Sequence, residues 1–181
     1  MTEEKKLPQL TMRRAALSDL PALELPLGFQ LRHFEQGDEE KWESIVEKSF
    51  GWNRNFQRKI ASHTYFKPER VLFICDHGTP VATACAWQQP EWEEDCGYLH
   101  MVGVDPAYSG KGLGHSVSLA ALLRMREDGK RRAVLETDDF RIPAIRIYLK
   151  LQFQPAYEGA DLQERWKQIY RKLNLPFAEE S

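Results

Sequence analysis

The chain lacks the features that would place it in several common classes. It has only three cysteines, Cys75, Cys85 and Cys96, with no C-x-x-C spacing among them. An odd, scattered set rules against a disulfide framework and predicts free thiols in a reducing cytoplasm. No His/Cys/Asp spacing suggests a metal site. No apolar run approaches the ~18 residues that a membrane span needs. The opening Met1-Thr2-Glu3-Glu4-Lys5-Lys6 leads into no apolar core, so an export signal is not expected. Charge of one sign is missing too: 25 Lys+Arg stand against 27 Asp+Glu, a formal net charge of -2. That balance offers no bulk attraction for nucleic acid or an anionic membrane. Internal repeats and low-complexity tracts are absent.

What is present is an ordinary globular composition, 181 residues with 42% hydrophobic and 11% aromatic content. That length can bury one substantial core. Residues 1–25 carry prolines and no clean period, and read as an extended arm. Residues 26–158 read as the main domain, and residues 159–181 as an amphipathic helix and tail packed on it.

Within the main domain, Phe29 to Phe34 alternates as a strand, and Asp38 is placed to cap a helix bearing Trp42, Ile45 and Val46. A second short helix is expected after Gly51, with Phe56 and Ile60 inside it. Val71–Cys75 and Val81–Trp87 flank the turn formers Asp76-His77-Gly78-Thr79-Pro80, the pattern of a hairpin. Tyr98–Val104 is a further strand, followed by a helix from about Gly112 to Asp128. Then come a strand at Ala133–Thr137, a helix opened by Pro143 and running to about Leu151, a strand at Phe153–Tyr157, and a helical stripe of Leu162, Trp166, Ile169, Tyr170 and Leu173. The order is that of an α/β layer domain.

The most informative stretch is Val102-Gly103-Val104-Asp105-Pro106-Ala107-Tyr108-Ser109-Gly110-Lys111-Gly112-Leu113-Gly114. A strand enters a loop with glycines at every second position, and a helix begins within that loop. Glycines admit close backbone approach, and the first helix amides point outward unpaired, which suits a pyrophosphate. The nucleoside-triphosphate loop requires four residues between its glycines and a hydroxyl residue after the lysine. Here six residues separate Gly103 from Gly110, and Gly112 follows Lys111, so that option fails. The dinucleotide fingerprint G-x-G-x-x-G is closer, with Glu136 or Asp138 as the ribose acid. The five residues from Asp105 to Ser109 nevertheless intervene where a dinucleotide loop turns at once.

At this point the chain resembles the GNAT superfamily of acyl-CoA-dependent N-acetyltransferases. The family's strand ending V-x-V-x-P is matched by Val102 to Pro106, and its glycine motif by Ser109 to Gly114. A second hallmark, N-x-x-A-I-x-x-Y-x-K-L-G-F, is matched by the stretch Arg141 to Phe153. The resemblance runs from about Tyr98 to Pro155. Ser109 stands where the family has Arg or Gln, Arg141 where it has Asn, and Gln152 where it has Gly.

The resemblance implies a mixed, mostly antiparallel sheet with flanking helices, splayed in a V between strand 98–104 and strand 133–137. It implies acetyl-CoA as co-substrate, no metal, and a small-molecule or peptide amine as acceptor, in a monomer or homodimer. It places Val102, Gly103, Val104, Ser109, Gly110, Lys111, Gly112, Leu113, Gly114, His115, Arg141 and Ala144 at the CoA, and Tyr148 as the acid for the departing thiolate. Tyr98 occupies a position where some members carry a glutamate base. His100, two residues on and hence on the same strand face, is the other candidate base. Trp52, in the turn between the first two helices, and Glu93 with Glu94, in the acidic loop, are candidates for the acceptor pocket. Acids at Glu91 to Asp95 and bases at Arg124 to Arg132 would then mark separate acceptor and CoA ends.

Overall fold

The structure is a computed structural model, and it describes residues 7–157 and 160–177. Residues 1–6 of the expected arm, the boundary residues 158 and 159, and residues 178–181 of the expected tail lie outside the described residues. The fold is α/β, and the described residues form seven strands of mixed but mostly antiparallel pairing and four α-helices. The chain divides into two compact units, residues 15–133 and residues 1–14 with 134–181.

The larger unit runs β2 (Phe29–His33), α1 (Glu39–Phe50), a single π turn (Gln57–Ala61), a 3-10 turn (Pro68–Arg70), β3 (Val71–Asp76), β4 (Thr79–Trp87), β5 (Cys96–Val104), a second 3-10 turn (Pro106–Tyr108) and α2 (Leu113–Glu127). Its strands neighbour one another in the order β2-β3-β4-β5, all antiparallel. β3 and β4 read as nearly continuous apolar runs because they are buried on both faces. The hairpin between them turns on His77 and Gly78, both at positive φ, as a two-residue hairpin loop demands.

Asp38 stands at the N-cap of α1 as expected, but its carboxylate caps nothing. It accepts both terminal nitrogens of Arg32, at 2.6 and 2.9 Å, and the Glu35 amide at 2.8 Å. The second helix expected after Gly51 shrinks to the π turn, with Phe56 as its first flanking residue rather than inside it. Trp42 and Trp87 are buried, as their spacing implied. α2 is apolar nearly all round because it is buried nearly all round: Leu113, Gly114, Val117, Ala121, Leu122 and Met125 are all inaccessible.

The pairing of β4 with β5 carries one irregularity. Thr83 pairs with Gly103 and Cys85 with His100, so two steps on β4 span three on β5. Met101 and Val102 together face Ala84, and Met101 takes φ 50 to absorb the extra residue. The bulge reverses the strand's faces along its length. A side chain at Gly97 would strike Met125 of α2, whereas one at Gly103 would meet Ser49 Oγ at 2.9 Å and Ile45 of α1. An unbroken period of two would have put both glycines on one face.

The smaller unit holds β1 (Leu10–Arg14), β6 from Val134 (β6 as a whole is Arg132–Thr137), α3 (Ile142–Lys150), β7 (Gln154–Pro155) and α4 (Ala160–Leu173). β1 lies between β6 and β7 and pairs antiparallel with β7, Met12 opposite Pro155. The final strand is thus two residues, not the five its composition suggested, and α4 follows it. α4 buries Trp166, Ile169 and Leu173. None of the described helices is long and apolar enough to cross a membrane.

Candidate functional site

The site in the larger unit is built where β5 ends and α2 begins. Asp105 turns the chain: its amide donates to Val81 O at 2.8 Å and its carboxylate accepts the Ala107 amide at 3.0 Å. Pro106–Tyr108 winds one 3-10 turn, closed by Tyr108 and Ser109 amides donating to Asp105 O and Pro106 O. Gly110 and Gly112 then adopt φ 78 and φ 79, and a side chain at either would meet nothing within 4 Å. Glycine is needed there for the left-handed backbone, not for room inside the protein. The open space beside both residues is what a ligand lying along the loop would use. Gly112 is also the N-cap of α2, and its carbonyl accepts the Ser116 amide at 3.1 Å. The amides of Leu113 and Gly114 precede that bond, at the positive end of a 15-residue helix.

Of the residues placed at the CoA from sequence, Val102, Gly103, Val104 and Ser109 to His115 form this one continuous stretch. Gly103 has a further use: it lets α1 approach until Ser49 Oγ donates to Val104 O at 2.9 Å. Leu113 and Gly114 are themselves buried at the start of the helix.

Tyr98 and His100 lie on the same face of β5 with ring centroids 5.3 Å apart, and the His100 ring stacks on Trp87 at 6.1 Å. His63 meets the other side of this group, edge-on to Trp87 at 5.9 Å. Burial drives the His100 imidazole down to about 3, and the positive charges of Arg54, His63 and Lys59 push the same way. Trp52 is exposed after α1, with the Arg54 guanidinium over its ring at 5.3 Å.

The acidic loop does not stand apart from the basic helix end, which corrects the expected separation of charge. Asp95 binds Arg131 at 2.8 Å and Arg132 at 3.0 Å, and the Arg131 amide donates to Asp95 O at 2.9 Å. Glu93 lies 3.6 Å from Arg132, and the Glu94 carbonyl accepts from Lys130. Arg124 is held by Asp128 and Glu127, with Asp128 shared by Arg70 at 2.6 Å. The acidic loop is thus tied to Lys130, Arg131 and Arg132, because β5 starts at Asp95's neighbour while the turn after α2 brings Arg131 back beside it.

In the smaller unit Arg141 is the N-cap of α3, 3.3 Å from Asp138. Ala144 and Tyr148 follow on one helical face, at the four-residue spacing that stacks side chains. Tyr148 is buried, and burial lifts its phenol to about 12 against a lowering by Arg141. α3 ends in a Schellman turn, Gln152 N to Leu149 O and Phe153 N to Tyr148 O, both 2.9 Å. Gln152 occupies its left-handed position at φ 63, the place where the resemblance has glycine.

Sequence reasoning missed Lys48, Asp76 and the use of Asp105 and Tyr108. Lys48 Nζ donates to Asp105 Oδ2 at 2.6 Å, and Tyr108 O–H donates to Asp76 Oδ2 at 3.0 Å. The Asp105-Pro106 pair is a local turn signal, but partners 57 and 32 residues away leave no local trace.

The Acetyltransferase (GNAT) family model matches residues 34–153. Among curated relatives, the mycothiol acetyltransferase of Thermobispora bispora is 33% identical over 153 residues, covering 78% of this chain and 52% of that protein. The one from Nocardia farcinica is 31% identical over 158 residues, covering 81% and 52%. The chain therefore spans about half the length of these relatives. Among solved structures, a GCN5-related N-acetyltransferase from Sphaerobacter thermophilus superposes with a TM-score of 0.65 at 22% identity, over 83% of this chain and 50% of that one. The ribosomal-protein-S18-alanine N-acetyltransferase of Escherichia coli gives 0.59 at 21%, over 71% and 79%. These likenesses support the fold, and the family match together with the first relative settles membership: the chain belongs to the GNAT acetyltransferase family.

Proposed function

We infer that the chain transfers an acetyl or related short acyl group from acetyl-CoA to a primary amine by direct attack on the thioester. The observation that carries this reading is the loop itself: two left-handed glycines beside open space, leading into the first turn of α2. The amides of that turn suit the pyrophosphate of CoA as backbone donors. They leave no essential part for a side chain at Ser109, where the family has Arg or Gln. The bulge at Met101 and Val102 takes two residues of β5 out of regular pairing with β4. Backbone donors released in this way can polarise a thioester carbonyl. When bound, acetyl-CoA supplies the activated acyl group, and the rest of the chemistry falls to side chains.

Tyr148 serves as hydrogen-bond donor to the leaving sulfur. A phenol near 12 is fully protonated at neutral pH. Complete transfer to a thiolate of ordinary basicity (pKa ~8.5) would run uphill, so donation of the hydrogen bond is its main contribution. His100, held neutral near 3, accepts protons too weakly to be the base. Its role is an aromatic wall with Trp87 and Tyr98. The amine enters as its free base or loses its proton to water. Glu93 and Glu94, beside Arg132 and Lys130, and Trp52, exposed beneath Arg54, are the candidates for the acceptor side.

The acceptor is a small-molecule amine, in keeping with relatives named mycothiol acetyltransferase. Cys75, Cys85 and Cys96 are free and buried, which accords with a reducing cytoplasm. Thiol release from acetyl-CoA, followed across a panel of primary amines, amino acids and peptide N-termini, tests the reading. Amine-dependent release supports it. CoA binding without consumption of any amine would favour a non-catalytic acyl-CoA-binding module instead.

A further inference from the structure

The segment between β5 and the glycine loop is fastened on three sides within the larger unit. Lys48, from the last turn of α1, holds Asp105 Oδ2 at 2.6 Å. Asp105 Oδ1 holds the Ala107 amide, a side-chain turn closing two residues on. Tyr108 reaches Asp76, at the end of β3, through its hydroxyl at 3.0 Å, and its ring lies edge-on to Phe29 of β2 at 6.2 Å. Beyond Ser109, Gly110 and Gly112 both have open space around them. Ties on one side and open space on the other leave the strap to set the course by which the chain enters the glycine loop.

We propose that Lys48, Asp105, Tyr108 and Asp76 form a positioning strap that pre-orients the glycine loop for CoA, without touching it. The inference rests on the reading of that loop as the CoA site. Its physical basis is pre-organisation: a loop already held in its binding conformation loses less freedom when ligand arrives. The Lys48 side chain is half exposed, so the ion pair itself contributes little to global stability. Its effect falls on loop geometry and hence on affinity.

The sign of one substitution separates this role from plain electrostatics. CoA is a polyanion, and Asp105→Asn removes a negative charge beside its site, which by charge alone tightens binding. The strap requires the opposite. Titration calorimetry with CoA is expected to show Kd raised about 5- to 10-fold in Asp105→Asn, or ~1–1.4 kcal/mol. Tyr108→Phe should weaken binding in the same direction and Lys48→Arg should stay within about twofold of wild type, with the unfolding midpoints of all three little changed. Unchanged or tighter binding by Asp105→Asn, or a lower unfolding midpoint with unchanged Kd, overturns the strap while leaving the CoA reading intact. A wild-type chain that does not bind CoA overturns both.

Discussion

Phe153 donates its backbone amide to the carbonyl of Tyr148 at 2.9 Å, and the two rings meet edge to face at 6.1 Å. The turn that ends α3 is therefore also what holds the proposed acid's ring. Between the two residues sits Gln152 at φ 63, a conformation in which a side chain crowds the backbone. Gln152→Gly is expected to stabilise the protein by ~0.5–1 kcal/mol, and a β-branched Gln152→Val to destabilise it by more. Urea unfolding midpoints of the two variants check this. A destabilised glycine variant would mean that the Gln152 side chain contributes packing that outweighs its backbone cost.

Tyr148→Phe removes the hydroxyl and keeps the ring. If the phenol donates to the departing sulfur, kcat should fall about 10- to 100-fold while the Kd for CoA stays within about twofold. Steady-state kinetics paired with CoA titration separates the two effects. Equal turnover in the variant would leave Tyr148 as a packing residue.

Gly103 is held glycine by α1. Gly103→Ala would place a methyl 2.9 Å from Ser49 Oγ and break or bend its bond to Val104 O, with an expected loss of ~1–2 kcal/mol. Ser49→Gly in the same background should recover part of that loss. No recovery in the double variant would locate the clash elsewhere.

His100 makes stability depend on pH. Its folded value near 3 lies below the ordinary 6.5, so the unfolded chain binds the extra proton first as pH drops. The stabilisation is complete above about 6.5 and is lost as pH falls toward 3, at up to ~1.4 kcal/mol per pH unit for one group. Denaturation midpoints at pH 7 and pH 4.5 should differ less in His100→Gln than in the wild type. Identical differences would place the acid sensitivity on other groups.

Much of this was legible in the residues. The apolar runs of β3 and β4, the turn chemistry of His77-Gly78, the all-round apolar α2 and the glycine loop each announce themselves within a window of a dozen residues. What escaped depends on distance or on a broken period. β1 pairs with β7 across 143 positions at Met12 and Pro155, and neither segment carries a strong alternation of its own. The bulge at Met101 reverses the faces of β5, which counting by twos cannot foresee. The charge clusters around Asp95 and Arg132 looked separate in sequence because α2 intervenes, and the fold folds them together. Gln152 was visible as a departure, but only its positive φ says what the departure costs.

The central claim is that the loop from Ser109 to Gly114 takes acyl-CoA on its backbone. Acetyl-CoA titrated into the wild type and into Gly112→Ala tests it most directly, because the methyl meets no protein atom within 4 Å and its strain at φ 79 falls on the loop backbone itself. Saturable binding by the wild type, weakened about tenfold or more in the variant, is the predicted result. No binding by the wild type, or equal affinity in both proteins, would contradict it.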